Sequence, residues 1–264
     1  MPTVTTLPHR IAVWNCPPPS GVHVVDMSEQ PWLETAKPGL WTKPLRENQT
    51  TGDFLGLVRF DPFVRSGLHQ HQGVATSFVL TGGLSDYFGS LDLHQMGINV
   101  RGSTHDAIAY QNTVLVSRLE GLVTYPRSAQ ISGVHAGSVH GEFVNPDPDV
   151  PPELNISVDS LTHEATGIFG ASRQIIFDYA GTGSDHRLLQ LTLRPHIAFE
   201  FEAGGLTDFW VRGGEIQVND QTAHANCFVM CAAGAKIRVA SPFGALLLVW
   251  ANGPERSSGN LFGF

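Results

Sequence analysis

The sequence predicts an all-β protein, and three observations carry that expectation. Its 28 glycines and 17 prolines are spread along all 264 residues, which suits many short strands joined by tight turns. No long stretch repeats its apolar residues at helical spacing. Short apolar runs such as Phe54–Phe60 and Leu246–Trp250 have the length and composition of buried strands. A content of 42% apolar and 15% charged residues fits a folded protein with room for one large or two small domains.

The elements follow in order. Residues 1–30 contain Cys16-Pro17-Pro18-Pro19, which excludes helix and interior strand, so an extended arm is expected. From residue 31, Trp32, Leu33, Leu40 and Trp41 supply apolar anchors. Asn48-Gln49-Thr50-Thr51-Gly52 reads as a hairpin turn, followed by the strand Phe54–Phe60. His69-Gln70-His71 comes next. Residues i and i+2 of a strand share a face, so both imidazoles would point into one cavity. A solvent-facing pair on an edge strand would have the same spelling, so the flanking residues decide. Gly82-Gly83 marks a sharp turn. His94 and His105 are rival third ligands; three neutral imidazoles converging from neighbouring strands suit a divalent transition metal.

Residues 120–187 are expected to form a long connection, because Asn145–Pro152 carries four prolines. His135 and His140 lie within it and read as solvated loop rather than ligands. Residues 188–255 repeat the pattern of the first half. Leu193-Arg194-Pro195 parallels Phe60-Asp61-Pro62, Gly213-Gly214 parallels Gly82-Gly83, and Gly234–Gly244 parallels the stretch from Gly102. In this alignment the histidines are replaced by Phe199, Phe201 and Ile237. His71 and His105 are 34 residues apart, Phe201 and Ile237 36. None of the replacements binds metal, so the second copy is expected to be packed with hydrocarbon. The tail ends in Phe262 and Phe264, aromatics suited to docking on a barrel or a partner.

The first copy resembles the cupin superfamily, specifically its ChrR-like branch. The resemblance rests on Gly39–Leu45, Leu57–Pro62, His69-Gln70-His71, Phe78–Asp86, Gly102-Ser103-Thr104-His105 and Leu115–Leu119. Ala107 stands where proline is usual and Arg118 where lysine is usual. This implies a bicupin of two tandem double-stranded β-helix (jelly-roll) barrels: an arm at 1–30, a metal-binding cupin at 31–150 and a degenerate, metal-free cupin at 151–264. It favours His105, inside the matching second motif, over His94, and so a metal site of His69, His71 and His105. The glutamate many cupins add four residues after the second histidine is Ala75 here, leaving three histidines and no anion. Such sites occur in cupin dioxygenases that cleave carbon–carbon bonds. The resemblance therefore implies one divalent metal, Fe(II) or alternatively Zn(II), with dioxygen and a small chelating enolate, diketone or hydroxyaryl ketone as substrates. Thr76, Tyr87, Tyr110, Gln111 and Arg118 are the expected catalytic candidates around it. Two further readings stay open: a ChrR-like metal-binding sensor, and a zinc-dependent isomerase, lyase or hydrolase.

A formal charge of −8 argues against nucleic acid and anionic membrane as partners. No apolar run reaches the ~18 residues of a membrane span, and the N-terminus lacks the pattern of a secretory signal. Three cysteines without zinc-ribbon spacing suit a reducing compartment, so a cytoplasmic protein is expected. Edge strands and the arm offer a route to a homodimer.

Overall fold

The computed structural model describes residues 20–86, 89–125, 153–256 and 259–264. The triple proline, Cys16, Tyr87, His135, His140 and Asn145–Pro152 lie outside the described residues. Within them, strands and short 3-10 turns account for the regular structure, with no α-helix.

A first strand, β1 (Val22–Asp26), precedes a front set: β2 (Leu33–Glu34), β3 (Leu40–Asn48), β4 (Asp53–Phe60), β5 (His69–His71), β6 (Ala75–Thr81), β7 (Leu84–Ser85), β8 (Ser90–Leu91), β9 (Gln95–Asn99), β10 (Thr104–His105), β11 (Thr113–Glu120) and β12 (Val123–Thr124). The back set is β13 (Leu154–Ser157), β14 (Glu164–Ala165), β15 (Ala171–Asp178), β16 (His186–Leu193), β17 (Ile197–Glu202), β18 (Thr207–Val218), β19 (Gln221–His224), β20 (Cys227–Cys231), β21 (Lys236–Ser241) and β22 (Ala245–Asn252). The front sheet runs β13-β9-β6-β11-β4-β3-β2, and β10-β5-β12 forms a separate three-stranded sheet. The back sheet runs β1-β20-β18-β22-β16-β15-β14.

Two strands have changed places. β1, inside the segment expected to be an arm, pairs with β20 of the back sheet. β13, numbered with the back half, pairs with β9 at the edge of the front sheet. The expected boundary at 150/151 therefore falls ahead of a strand that belongs to the front. The expected long connection is also shorter than the sequence suggested, since 153–187 contains β13, β14, β15 and the start of β16. These strands repeat β1 to β4: each copy has a strand, a 3-10 turn (Met27–Glu29, Val158–Ser160), a two-residue strand and a long hairpin.

The repeat extends into the barrels at a constant register. His71 N–H donates to Ser103 O and Gly102 N–H to His71 O; Ala203 N–H donates to Ala235 O and Gly234 N–H to Ala203 O. Gly102 and Gly234 both sit at left-handed φ, +90° and +77°. Position 71 thus corresponds to 203, and His69 and His105 correspond to Phe201 and Ile237. The sequence alignment was two residues out for the histidine pair: Phe199 and Phe201 imitate the His-x-His spelling, but the backbone bonds set the register.

Among the described residues, three apolar clusters form the core. One fills the back barrel, with Leu189, Phe201, Phe209, Val229 and Ile237. The tail joins it, Phe262 being fully buried there while Leu261 N–H and Phe262 N–H donate to the Glu255 carboxylate. A second cluster lies between the two large sheets, drawing Phe78, Val116 and Met96 from the front and Trp210, Phe228 and Trp250 from the back. A smaller third, with Phe60, Val79 and Leu115, occupies part of the front barrel. The expected turn at Asn48 is present: Asn48 Oδ1 accepts from Thr50 N–H and Thr51 N–H, and Gly52 N–H closes it on Asn48 O.

Candidate metal centre

β5 lies between β10 and β12, so the three-stranded sheet builds the site. Strand alternation puts His69 and His71 on one face of β5. The antiparallel register sets His105 opposite His69, where cross-strand side chains meet. All three are buried. Their Nε2 atoms form a near-equilateral triangle: 3.2 Å between His69 and His71, 3.2 Å between His71 and His105, and 3.0 Å between His105 and His69.

These residues fit a metal. Nitrogens bound to one ion at about 2.1 Å lie about 3.0 to 3.4 Å apart for angles from a right angle to tetrahedral, and the triangle falls in that span. Three ring nitrogens that all present lone pairs to one another repel, so their convergence is costly without a cation. The tautomers agree. His69 Nδ1–H donates to Gly67 O at 2.7 Å, leaving Nε2 with its lone pair. Burial, with His105 alongside, lowers the His69 pKa to about 3. Burial and the two neighbouring rings push His71 well below the usual imidazole range. Neutral imidazole is the form that binds metal.

Among the described residues no carboxylate joins the triangle, in line with Ala75 standing where a glutamate would. Two carboxylates do stand behind it. Asp86 Oδ2 lies 3.3 Å and Glu153 Oε2 3.9 Å from His105 Nδ1. A ligating histidine that gives its outer N–H to a carboxylate is oriented and made more basic. The expected absence of any anion is corrected to this extent: none faces the Nε2 atoms, but two are in place to offset charge through His105. Burial, with Asp86 nearby, raises the Glu153 pKa to about 7. β13 carries Glu153 in when it pairs with β9. Gly97 makes the room, since a Cβ there would lie 2.8 Å from Leu91 Cδ2 and 3.0 Å from Glu153 Cδ.

Sequence reasoning missed Glu153 because nothing local marks it; only the pairing of a strand 55 residues beyond β9 brings it to the site. It also missed Tyr125, whose exposed ring lies 6.4 Å from that of His69. Lys37 was missed too: its Nζ donates to Ser66 O next to the histidine loop, and its charge helps lower the His69 pKa.

Four of the five expected catalytic candidates lie among the described residues, and none of the four is part of the triangle. Thr76 and Arg118 face away from the barrel interior, on the same side as Phe78 and Val116. Thr76 Oγ1 accepts from Trp250 Nε1–H at 3.0 Å. Arg118 donates to Asn252 and pairs with Glu120. Both are joints between barrels, and period-two parity is the reason. Tyr110 is half exposed, edge-on to Phe63; Gln111 is exposed. Tyr87 is outside the described residues. His94 occupies a left-handed turn (φ +62°), stacked on Phe78 and 3.5 Å from Asp159, and is not part of the triangle.

Comparison with known proteins agrees with this fold. Residues 20–123 match the family model of the ChrR Cupin-like domain. No curated protein sequence matches the chain significantly. A crystal structure from Nostoc punctiforme, described as a candidate dioxygenase, superposes with a TM-score of 0.69 at 13% identity, covering 89% of this chain and 84% of that one. Oxalate decarboxylase from Bacillus subtilis superposes at 0.59 with 10% identity, over 92% of this chain and 80% of that one. Bacterial pirin from Escherichia coli, in complex with nickel(II), superposes at 0.58 with 10% identity, over 88% and 99%. The chain has the cupin fold twice, and the front copy carries the three-histidine site.

Proposed function

We propose that this two-barrel cupin is an Fe(II)-dependent dioxygenase that cleaves a carbon–carbon bond in a small, chelating oxygen anion, such as an enolate, a β-diketone or a hydroxyaryl ketone. One observation carries the reading: three buried, neutral imidazoles converge and, among the described residues, no carboxylate joins them. Such a donor set leaves the cation's charge uncompensated on its open side, which favours an anionic, two-oxygen substrate. The cupin neighbours, one described as a candidate dioxygenase and one acting on oxalate by name, support a small oxygen-rich substrate.

When bound, the metal would act as Lewis acid and redox centre for substrate and dioxygen. The chain's own residues do the rest. Gly67 O fixes the His69 tautomer, and Asp86 orients His105. Glu153, 3.9 Å from His105 Nδ1, adds a second carboxyl behind the ring. Tyr125, with its ring 6.4 Å from that of His69, and Lys37, beside the histidine loop, would meet the anion's outer face.

The test is anaerobic loading with Fe(II), addition of a panel of β-diketones and hydroxyaryl ketones, and admission of air at an oxygen electrode. Stoichiometric oxygen uptake with cleavage products, absent in His71→Ala, is expected. No uptake across the panel would sink the dioxygenase reading. The match of residues 20–123 to the ChrR Cupin-like domain favours a metal sensor as the second reading, and turnover of the panel under nitrogen with zinc would point to the isomerase or lyase.

A further inference from the structure

We propose a second divalent-cation site, of Asp26, His224 and Cys227, which fastens the exchanged strand β1 to the back barrel and takes a borderline-soft ion of the zinc type. The three side chains come from three pieces of chain. Asp26 ends β1, His224 ends β19, and Cys227 begins β20. Asp26 and Cys227 are direct cross-strand partners, so their side chains share a face. One oxygen, one nitrogen and one sulfur donor lie within 4.8 Å of one another, and Asp26 Oδ2 is 3.4 Å from His224 Nε2.

Each donor is already prepared. His224 Nδ1–H donates to Ala225 O at 2.9 Å, which leaves Nε2 as the lone-pair nitrogen facing Asp26. This is the backbone-anchored tautomer found in ligating histidines. Asp26 uses Oδ1 to cap the following turn, accepting from Ser28 N–H and Ser28 Oγ–H, and so keeps Oδ2 for another partner. Cys227 is buried and in no disulfide, and a cation beside its sulfur would favour the thiolate. Binding forms one metal–sulfur, one metal–nitrogen and one metal–oxygen bond and releases the thiol proton to water. The half-exposed His224 ring leaves the remaining position open to solvent. An open three-donor site fills after the buried histidine triad, so protein purified without added metal would still carry about one ion.

The probe is Co(II), titrated into the full chain under reducing conditions. The triad contains no sulfur, so a near-ultraviolet sulfur-to-cobalt charge-transfer band reports the second site alone. The band should appear with the second equivalent and disappear in Cys227→Ser. In His224→Gln, and in Asp26→Asn, which keeps the turn cap, binding of that equivalent should weaken at least about tenfold. His224→Gln alters only the half-exposed end of β19, so it remains informative if the cysteine variant folds poorly. A second equivalent that binds without the band, a band that survives in Cys227→Ser, or no second equivalent at all would overturn the proposal.

Discussion

The front and back barrels are the same backbone with different fillings. At matched positions the front has His69, His71 and His105, and the back has Phe201, Ala203 and Ile237, under the same pair of backbone hydrogen bonds. The turn at His94 (φ +62°) recurs at Asn226 (φ +74°), and their N–H groups close on Val79 O and Val211 O. A scaffold held by its main chain accepts either an imidazole triangle or a hydrocarbon plug. The difference between a metal barrel and a structural one therefore lies in three side chains and the carboxylates behind them.

The halves also depend on each other. Each lends its first strand to the other's sheet, and a polar joint crosses the apolar layer between them. Arg46 makes two hydrogen bonds to the fully buried Asp208, with Arg118 4.0 Å away. By the repeat, Thr76 and Trp250 occupy the positions that Asp208 and Arg118 hold in the other copy. One pair became a hydroxyl–indole bond and the other a buried ion pair.

Six substitutions test the contrast, from the largest effect down. His105→Ala should reduce metal content from about one ion per chain to near zero by elemental analysis, and His94→Ala should leave it unchanged. Asp208→Ala removes the buried carboxylate that faces Arg46 and Arg118 and should cost about 3–5 kcal/mol in denaturant unfolding, with both barrels affected in one transition. Phe201→Ala empties the plug and should cost about 3–5 kcal/mol without changing metal stoichiometry. The front counterpart, His69→Phe, should lose the metal while keeping the fold. Asp86→Asn removes a charge behind His105 and should weaken metal binding about 10- to 100-fold, measured by competition with a chromophoric chelator.

Much of this was legible before the structure. The His-x-His pair, the strand Phe54–Phe60, the Asn48 turn and the apolar second copy were all readable, because alternation, turn chemistry and local spelling are short-range signals. What failed was long-range. β1 and β13 are half-exposed strands of mixed polarity, and nothing in such a strand names its partner. The repeat did leave a trace: Thr35 with Gly39 recurs as Thr166 with Gly170, both glycines at left-handed φ, +77° and +90°. Glu153 was invisible because its role depends on that same pairing. Thr76 and Arg118 were misjudged because nearness in sequence to a ligand strand says nothing about which face a residue takes.

The most direct test is anomalous diffraction at the iron edge from crystals loaded anaerobically with one equivalent of Fe(II). The account predicts one peak, bonded to the Nε2 atoms of His69, His71 and His105, and none inside the back barrel. A carboxylate oxygen bonded to the iron, or a peak beside Phe201 and Ile237, would contradict it.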